Sequence, residues 1–214
     1  IMSKKGFFIT GTDTGVGKTF FASLLINKYN FDYWKPIQTG KFLENDTLYI
    51  KKKIVNKKNI LHEPVYSFKK PLSPHLASDY EKISIDIKKI KKPSSKRPLI
   101  IEGAGGILVP LNKKNLIIDL IKKFKLPVIV ISKSILGTIN HTLMTLELLK
   151  KNKIKVFGVV LNNIKNKKEG NDNAISIESF GNIKVLARIS SINNINKKKI
   201  ENLSKKKFMS VFKI

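Results

Sequence analysis

The chain has 214 residues, of which 42% are hydrophobic and 8% aromatic, so it is long enough for one buried core and is not disordered in composition. It contains no cysteine, which excludes disulfides and thiolate metal sites and favours a cytoplasmic location. Its apolar runs, such as LPVIVI at 126–131, are far shorter than the roughly 18 residues of a membrane-spanning helix. We therefore expect a single domain over residues 1–214.

The net charge of +27, from 42 Lys and Arg against 15 Asp and Glu, has two interpretations. A strongly basic surface is typical of nucleic-acid-binding proteins. A drift of the whole composition toward lysine, asparagine and isoleucine would give the same charge. We favour drift, because lysines occur in almost every polar segment and only Arg97 and Arg188 are arginines. No specific nucleic-acid or membrane partner is therefore expected.

Short apolar segments alternate with longer segments of helical periodicity along the chain. Strands that are apolar on both faces belong inside a sheet covered by helices, and repeated strand and helix alternation predicts a mostly parallel, doubly wound α/β fold. The pattern predicts strands at 6–10, 33–36, 98–103, 126–132, 155–162 and 183–189, and helices at 18–29, 44–54, 115–124, 138–152, 170–180 and 195–206. The polar segments at 51–59, 87–97, 163–173 and 193–207 are expected to be loops or solvated helix faces.

The first predicted strand runs directly into GTDTGVGKT at 11–19, which has the character of a phosphate-binding loop. The general pattern G-x-x-x-x-G-K-[ST] would place its first glycine at Thr12, but the glycine stands one residue earlier, at Gly11. The order of strand, loop and helix is the one that the motif requires. Lys18 would contact phosphates and the Thr19 hydroxyl would contact Mg²⁺. A glycine-rich structural turn is the alternative.

Two acidic residues could complete a magnesium site. Glu102 ends a buried strand and is followed by GAGG, so its carboxylate would point into the crevice at the carboxyl edge of the sheet. A surface glutamate at a strand end is the simpler alternative. Asp46, in LENDTLYI, could cap its helix or contact the metal, and the spacing leaves both possibilities open.

Lys35 lies in YWKPIQTG, where a lysine ends an aromatic strand and Pro36 follows at once. Thr39 and Gly40 come just beyond. In a chain with so many lysines, Lys35 by itself is more simply explained as a surface residue.

Seven segments together resemble the dethiobiotin synthetases, the enzymes of the penultimate step of biotin synthesis. The segments are GTDTGVGKT, KPIQTG, PLSPH, IEGAGG, LPVIVI, GTINHT and VVLNNI, and they occur in the order and at the spacing of that family. The early glycine is this family's own form of the loop. The resemblance covers residues 6 to about 163 and fades toward the C-terminus.

The resemblance implies a P-loop NTPase-like, three-layer fold and an ATP- and Mg²⁺-dependent ligase. Such enzymes carboxylate 7,8-diaminopelargonate with CO₂, activate the carbamate with ATP and close the cyclic urea of dethiobiotin. The implied catalytic residues are Lys35, Lys18 and Thr14, and the implied metal ligands are Thr19, Asp46 and Glu102. The implied substrate contacts are Thr14, Lys35, Thr39, Gly137 and Thr138. The implied nucleotide contacts are Gly15, Val16, Gly17, Lys18, Thr19, Phe20, Asp46, Glu102, Gly103, Ala104, Gly105, Asn162 and Asn163.

The resemblance also implies a homodimer. In this family the helix that begins near Gly137 and Thr138 lies at the dimer interface, and its N-terminal amides help to bind the distal carboxylate of the substrate held by the partner chain. His141, on the same helix, is expected to pack there rather than to catalyse. Asn162 would read the adenine edge, although an asparagine after a strand is also a common turn residue.

Two features depart from the family, and two other functions stay open. Gly15 stands where some relatives carry an acidic residue, and the segment ARISSINN at 187–194 lacks a proline that many relatives have, which puts base contacts from 190–192 and the nucleotide preference in question. A partition-type ATPase, a DNA- or membrane-associated switch, would suit the charge, but such proteins usually carry a lysine where this chain has Thr12 and Asp13. An amide-forming ligase for cobalamin-like substrates would normally continue into a glutaminase domain, for which 214 residues leave no room.

Overall fold

The computed structural model describes residues 6–40, 45–55, 58–206, 209 and 211, and this part of the chain contains nine strands and seven helices. The strands are β1 (Gly6–Gly11), β2 (Asp32–Trp34), β3 (Ile37–Thr39), β4 (Leu61–His62), β5 (Tyr66–Phe68), β6 (Leu99–Gly106), β7 (Val128–Lys133), β8 (Val156–Ile164) and β9 (Val185–Ser190). The helices are α1 (Lys18–Tyr29), α2 (Asp46–Lys53), α3 (Pro74–Tyr80), α4 (Ile117–Phe124), α5 (Thr138–Lys151), α6 (Lys167–Gly181) and α7 (Lys197–Ser204). None of these helices is both long and apolar enough to cross a membrane.

Seven of the strands form one parallel sheet in the order β4-β2-β6-β1-β7-β8-β9. All six residues of β1 are buried, because apolar clusters cover both faces of the sheet. Phe7 packs in one cluster and Phe8 in the other, as successive side chains of a strand point to opposite faces. The predicted doubly wound α/β fold is therefore confirmed.

The strand order brings several polar segments to one edge of the sheet. The carboxyl ends of parallel strands meet at the same edge, and the chain leaves β1 with β6 on one side and β7 on the other. The loop 11–19 follows β1, Lys35 follows β2, Glu102 lies in β6 and Asn162 lies in β8. These residues, which are up to about 150 positions apart in sequence, are thus placed around one crevice.

The elements that the sequence pattern did not predict are short. β3 and β5 pair in parallel as a separate two-stranded sheet, and β4 has only two residues. Strands of two or three residues contain no periodicity to detect. The helix Pro74–Tyr80 has seven residues and begins directly after Ser73 with the proline of PLSPH. Residues 44, 56, 57 and 207 of the predicted segments lie outside the described residues.

A buried carboxylate holds the start of β2, at the edge opposite the crevice. Asp32 is fully buried, and its Oδ1 accepts hydrogen bonds from the Ile60 amide at 2.7 Å and the Arg97 guanidinium at 3.4 Å. The Ser95 hydroxyl donates to the other carboxylate oxygen. These bonds attach the segments that contain Ile60 and Ser95–Arg97 to the sheet, at the edge opposite the crevice.

Candidate active site

The loop 11–19 forms a turn from β1 into the first turn of α1. Gly15 and Gly17 have positive φ angles of 71° and 100°, which glycine adopts without steric strain. Gly17 is the N-cap of α1 and no side chain caps this helix, so its first amides are available to an anion. The Thr12 amide donates to the Ile131 carbonyl at 3.0 Å, which ties the loop to the neighbouring strand. The loop therefore has the geometry of a phosphate cradle.

Asn162 fixes the second half of this loop from β8. Its Nδ2 donates a hydrogen bond to the Val16 carbonyl at 2.9 Å. A Cβ added at Gly17 would lie 2.2 Å from the same Nδ2, so the amide approaches the loop more closely than any side chain at position 17 would permit. Because its nitrogen is committed to the loop, Asn162 can offer its Oδ1 to a ligand.

Thr19, Asp46 and Glu102 converge at the base of the loop. The Thr19 Oγ1 lies 2.7 Å from Asp46 Oδ1 and 2.8 Å from Glu102 Oε1, and it can donate to one of them at a time. Asn45, and not Asp46, caps α2, because its side chain accepts from the Leu48 amide at 2.8 Å. The interpretation of Asp46 as a helix cap is therefore wrong, and its carboxylate is directed to the cluster.

Lys35 joins the same cluster from the end of β2. Its Nζ forms an ion pair with Glu102 Oε1 at 3.2 Å and a second one with Asp46 Oδ2. The lysine is 7% exposed, so the interpretation of Lys35 as a surface residue is wrong. Lys18 approaches from the loop, where its Nζ donates to the Asp13 carbonyl at 2.9 Å.

Tyr33, which no sequence motif indicated, also contacts Glu102. Its hydroxyl donates to Glu102 Oε2 at 3.0 Å, and the whole residue is buried. Tyr33 and Lys35 are two residues apart along an extended segment, so both side chains point to the same side of the sheet. That alternation was the signal in the sequence that could have identified it.

Burial and charge act against each other in this cluster. Burial lowers the pKa of Lys18 to about 8, and burial raises the pKa of Glu102. Burial alone would also lower the pKa of Lys35, but the carboxylates of Glu102 and Asp46 outweigh it and raise that pKa above its ordinary value. Burial would raise the pKa of Asp46, but Lys35 outweighs it and lowers that pKa. Burial raises the pKa of Tyr33 well above its ordinary value, so its hydroxyl stays protonated.

A cavity of about 520 Å³ opens above the cluster and contains most of the expected site residues. The expected residues that line it are Thr14, Gly15, Gly17, Lys18, Thr19, Phe20, Lys35, Thr39, Asp46, Glu102, Ala104 and Gly105. Six further residues line it: Tyr49, Pro71, Leu72, Ser73, Pro74 and Val109. Pro71–Pro74 belongs to the PLSPH segment, so this motif forms part of the cavity wall.

A second cavity, of about 290 Å³, lies beside the loop and shares Gly15, Gly17 and Phe20 with the first. Asn162 and Asn163 line it, as expected. The segment 190–192, which was in question from the sequence, lines it as well, together with Lys133 and Ile195. The shared residues make the two cavities neighbours on either side of the phosphate loop.

Four expected site residues line neither of these cavities. A Cβ at Gly103 would meet Phe8 at 3.1 Å, so this glycine allows core packing. Val16 is buried in the apolar core, although its carbonyl accepts from Asn162. The Thr138 hydroxyl is buried 2.7 Å from the Ser132 hydroxyl, and the Thr138 amide donates to the Ile135 carbonyl at 3.0 Å. Gly137 precedes α5 as its N-cap, with a φ of 90°.

Known proteins are similar to this chain over most of its length. A family model described as an AAA domain matches residues 5–199. The ATP-dependent dethiobiotin synthetase of Paramagnetospirillum magneticum is 44% identical over 185 residues, which cover 86% of this chain and 87% of that protein. The chain belongs to the dethiobiotin synthetase family. It is therefore a ligase with an ATP-dependent role in biotin biosynthesis.

Two more relatives support membership of the synthetase family. The ATP-dependent dethiobiotin synthetase of Lawsonia intracellularis is 43% identical over 197 residues, which cover 92% of this chain and 93% of that protein. A biotin biosynthesis bifunctional protein of Bordetella avium is 41% identical over 202 residues, which cover 94% of this chain and 43% of that protein. These matches and the family model extend the likeness well past residue 163, where the sequence motifs end.

Two solved structures have the same fold as this chain. A ParA family ATPase from Chlorobium tepidum has a TM-score of 0.53 at 12% identity and covers 97% of this chain and 95% of its own. A putative plasmid partition protein from Borrelia burgdorferi has a TM-score of 0.56 at 15% identity and covers 94% of this chain and 90% of its own. At such identities the likeness shows the fold alone. Synthetase membership rests on the sequence matches, and the partition-type alternative gains no support.

Proposed function

We propose that the chain catalyses the ATP- and Mg²⁺-dependent carboxylation and ring closure of 7,8-diaminopelargonate with CO₂, giving dethiobiotin, ADP and phosphate. One observation carries this proposal. Two buried lysines, Lys18 and Lys35, meet the cluster of Thr19, Asp46 and Glu102 in a single cavity beside the phosphate loop. This arrangement suits phosphoryl transfer between two anions, which depends mainly on positioning and charge stabilisation.

The reaction divides into three bond-forming steps. One amine of the substrate attacks CO₂ and loses a proton, which gives a carbamate. A carbamate oxygen then attacks the γ-phosphorus of ATP, the bond from this phosphorus to ADP breaks, and a carbamic-phosphoric anhydride and free ADP result. The second amine attacks the carbamate carbon and loses a proton, the bond to the phosphate oxygen breaks, phosphate departs and the cyclic urea closes. Lys18 and Lys35 would stabilise the negative charge of the phosphates and the carbamate, most strongly where water is excluded.

The side chains of Thr19, Asp46 and Glu102 fit the donor preference of Mg²⁺. Among the described residues there is no group of three His, Cys, Asp or Glu side chains that could form a complete metal cage. Two carboxylates and a hydroxyl are instead the partial set that Mg²⁺ accepts when phosphate oxygens and water fill the other positions. The ion would neutralise charge on the nucleotide phosphates. Lys35, which now pairs with both carboxylates, would then be free to contact the carbamate.

The remaining contacts follow from the two cavities. Thr14 and Thr39 line the larger cavity and would bind the diamine or its carbamate. Asn162, through its Oδ1, and Asn163 would contact the adenine in the smaller cavity. Gly15 has no side chain, so the contacts that an acidic residue makes at this position in some relatives are absent. The space beside it is open, since nothing lies within 4 Å of a Cβ built on it.

We also propose a homodimer of single-domain chains, with residues 1–214 as one ligase domain in the cytoplasm. The family resemblance carries this part of the proposal. Exposed apolar side chains support it: Leu136, just before α5, is fully exposed, Ile135 and Met144 are more than half exposed, and the equally exposed Leu108 lines one cavity with Met144. The backbone amide of Gly137 would then contact the partner's substrate, since the Thr138 amide donates to the Ile135 carbonyl and the Thr138 hydroxyl is buried.

The test is an assay of purified protein with Mg-ATP, bicarbonate and 7,8-diaminopelargonate. We expect phosphate release to require the diamine and dethiobiotin to be detected by mass spectrometry. Hydrolysis that ignores the diamine but rises with added DNA would refute the proposal and favour a partition-type ATPase.

A further inference from the structure

Tyr33 is a tyrosine in a place where phenylalanine would pack equally well. Its ring lies in the apolar cluster on the α1 side of the sheet, among Phe7, Phe21 and Phe31. A buried hydroxyl has an energetic cost unless it has a hydrogen-bond partner. Here the partner is Glu102 Oε2, at 3.0 Å.

The sheet register explains why this contact forms. Tyr33 of β2 pairs with Ile100 of β6, and both belong to the same apolar cluster. Glu102 is two residues beyond Ile100, so its side chain points to the same face and lies next along the strand from Tyr33. The hydroxyl therefore reaches the carboxylate from within the protein core, while Thr19 and Lys35 reach it from the cavity.

The two oxygens of Glu102 consequently have different surroundings. Oε1 faces Thr19 at 2.8 Å and Lys35 at 3.2 Å, on the side where the metal would lie. Oε2 is held by the tyrosine on the buried side. A carboxylate with both oxygens engaged cannot turn away from the cavity without losing a hydrogen bond in a dry environment, where such a loss is costly.

We propose that Tyr33 is a positioning residue that holds Glu102 Oε1 toward the magnesium site, and so sets the metal affinity of the enzyme. The inference rests on the proposed function, since it takes Glu102 to be a metal ligand. Partners that orient a metal ligand typically change metal affinity by about 10- to 100-fold when they are removed.

The test compares Tyr33→Phe with the wild-type chain, using Mn²⁺ as the probe in the presence of a non-hydrolysable ATP analogue. Electron paramagnetic resonance of free Mn²⁺ gives the dissociation constant without turnover. We expect affinity to fall about tenfold in Tyr33→Phe. In the activity assay, the Mg²⁺ concentration for half-maximal rate should rise by a similar factor, while kcat at saturating Mg²⁺ stays close to wild type.

Two further variants complete the design. Tyr66→Phe is the matched control, because its hydroxyl accepts from the Asp86 amide at 3.0 Å, outside both cavities, and it should not change Mn²⁺ affinity. para-Aminophenylalanine at position 33 restores a hydrogen-bond donor and should restore the affinity.

Three outcomes would be decisive. If the wild-type chain does not bind Mn²⁺ with the nucleotide analogue, the proposed metal site is wrong. If the wild type binds and Tyr33→Phe binds equally well, only the role of Tyr33 is overturned. A Tyr33→Phe chain that does not fold, as judged by circular dichroism, would assign the hydroxyl to stability and would also overturn it.

Discussion

Replacing Lys35 with alanine removes a buried cation that contacts both carboxylates of the site. For the pair with Glu102 Oε1 at 3.2 Å, Coulomb's law with an effective dielectric constant of about 20 gives an attraction of about 5 kcal/mol. Desolvation of both groups offsets a large part of it, and breaking a buried pair from one side typically costs about 3–5 kcal/mol. We expect a loss of about 3 kcal/mol in the free energy of unfolding, at the lower end because Glu102 keeps Tyr33 and Thr19 as partners.

The effect of Lys35→Ala on turnover should be larger than its effect on nucleotide binding. Loss of one preorganised charge in the transition state typically lowers kcat by about 100- to 1,000-fold. The loop 11–19 and the Asn162 contact do not involve Lys35, so the dissociation constant for ATP should change little.

The assay for Lys35→Ala combines diamine-dependent phosphate release, calorimetric titration with ATP and urea unfolding. Lys28→Ala is the matched control, because Lys28 lies in the last turn of α1 and lines neither cavity. Turnover near the wild-type rate would refute the role given to Lys35. Loss of ATP binding by a folded Lys35→Ala chain would make it a nucleotide residue instead.

Three other perturbations test the loop and the fold. Because the pKa of Lys18 is lowered to about 8, the free chain loses this proton above that pH. ATP should then bind with uptake of a proton between pH 8 and 10, seen by calorimetry in buffers of different ionisation enthalpy, and Lys18→Arg should abolish the uptake. Gly17→Ala should lose ATP affinity at least about tenfold, since its φ is 100° and its Cβ would lie 2.2 Å from the Asn162 amide; normal affinity would contradict the tight loop geometry. Asp32→Ala should lower the free energy of unfolding by about 3 kcal/mol, because the partly buried Arg97 guanidinium loses its carboxylate partner and the Ile60 amide loses its acceptor, and the folded fraction should keep full activity.

The lowered pKa of Lys18 also makes the free energy of unfolding depend on pH. Its pKa is lower in the folded chain than the ordinary value of 10.5, so the unfolded chain binds more protons between pH 8 and 10.5. The contribution of Lys18 to the free energy of unfolding therefore rises with pH from pH 8 to 10.5. It is lowest below pH 8, where the buried lysine is charged.

The amino-acid sequence by itself determined the layer order of the fold and the chemistry of the phosphate loop. Strands apolar on both faces require helices on both sides, and a loop with glycines at 15 and 17 followed by Lys18 and Thr19 can be recognised from adjacent residues, although Asn162 and Ile131 also hold it in the fold. Local patterns of this kind can be recognised in a single sequence because their physical causes lie within a few residues of one another.

Only the tertiary structure decided which distant residues share the site. It brought Asp46 to Thr19, buried Lys35 against two carboxylates, and placed Tyr33 against the far oxygen of Glu102. These outcomes depend on strand order and register, which place β2 beside β6 although some 60 residues separate them. A side chain's partner across the sheet is set by strand register and not by its neighbours along the chain, so burial and pairing are properties of the folded chain.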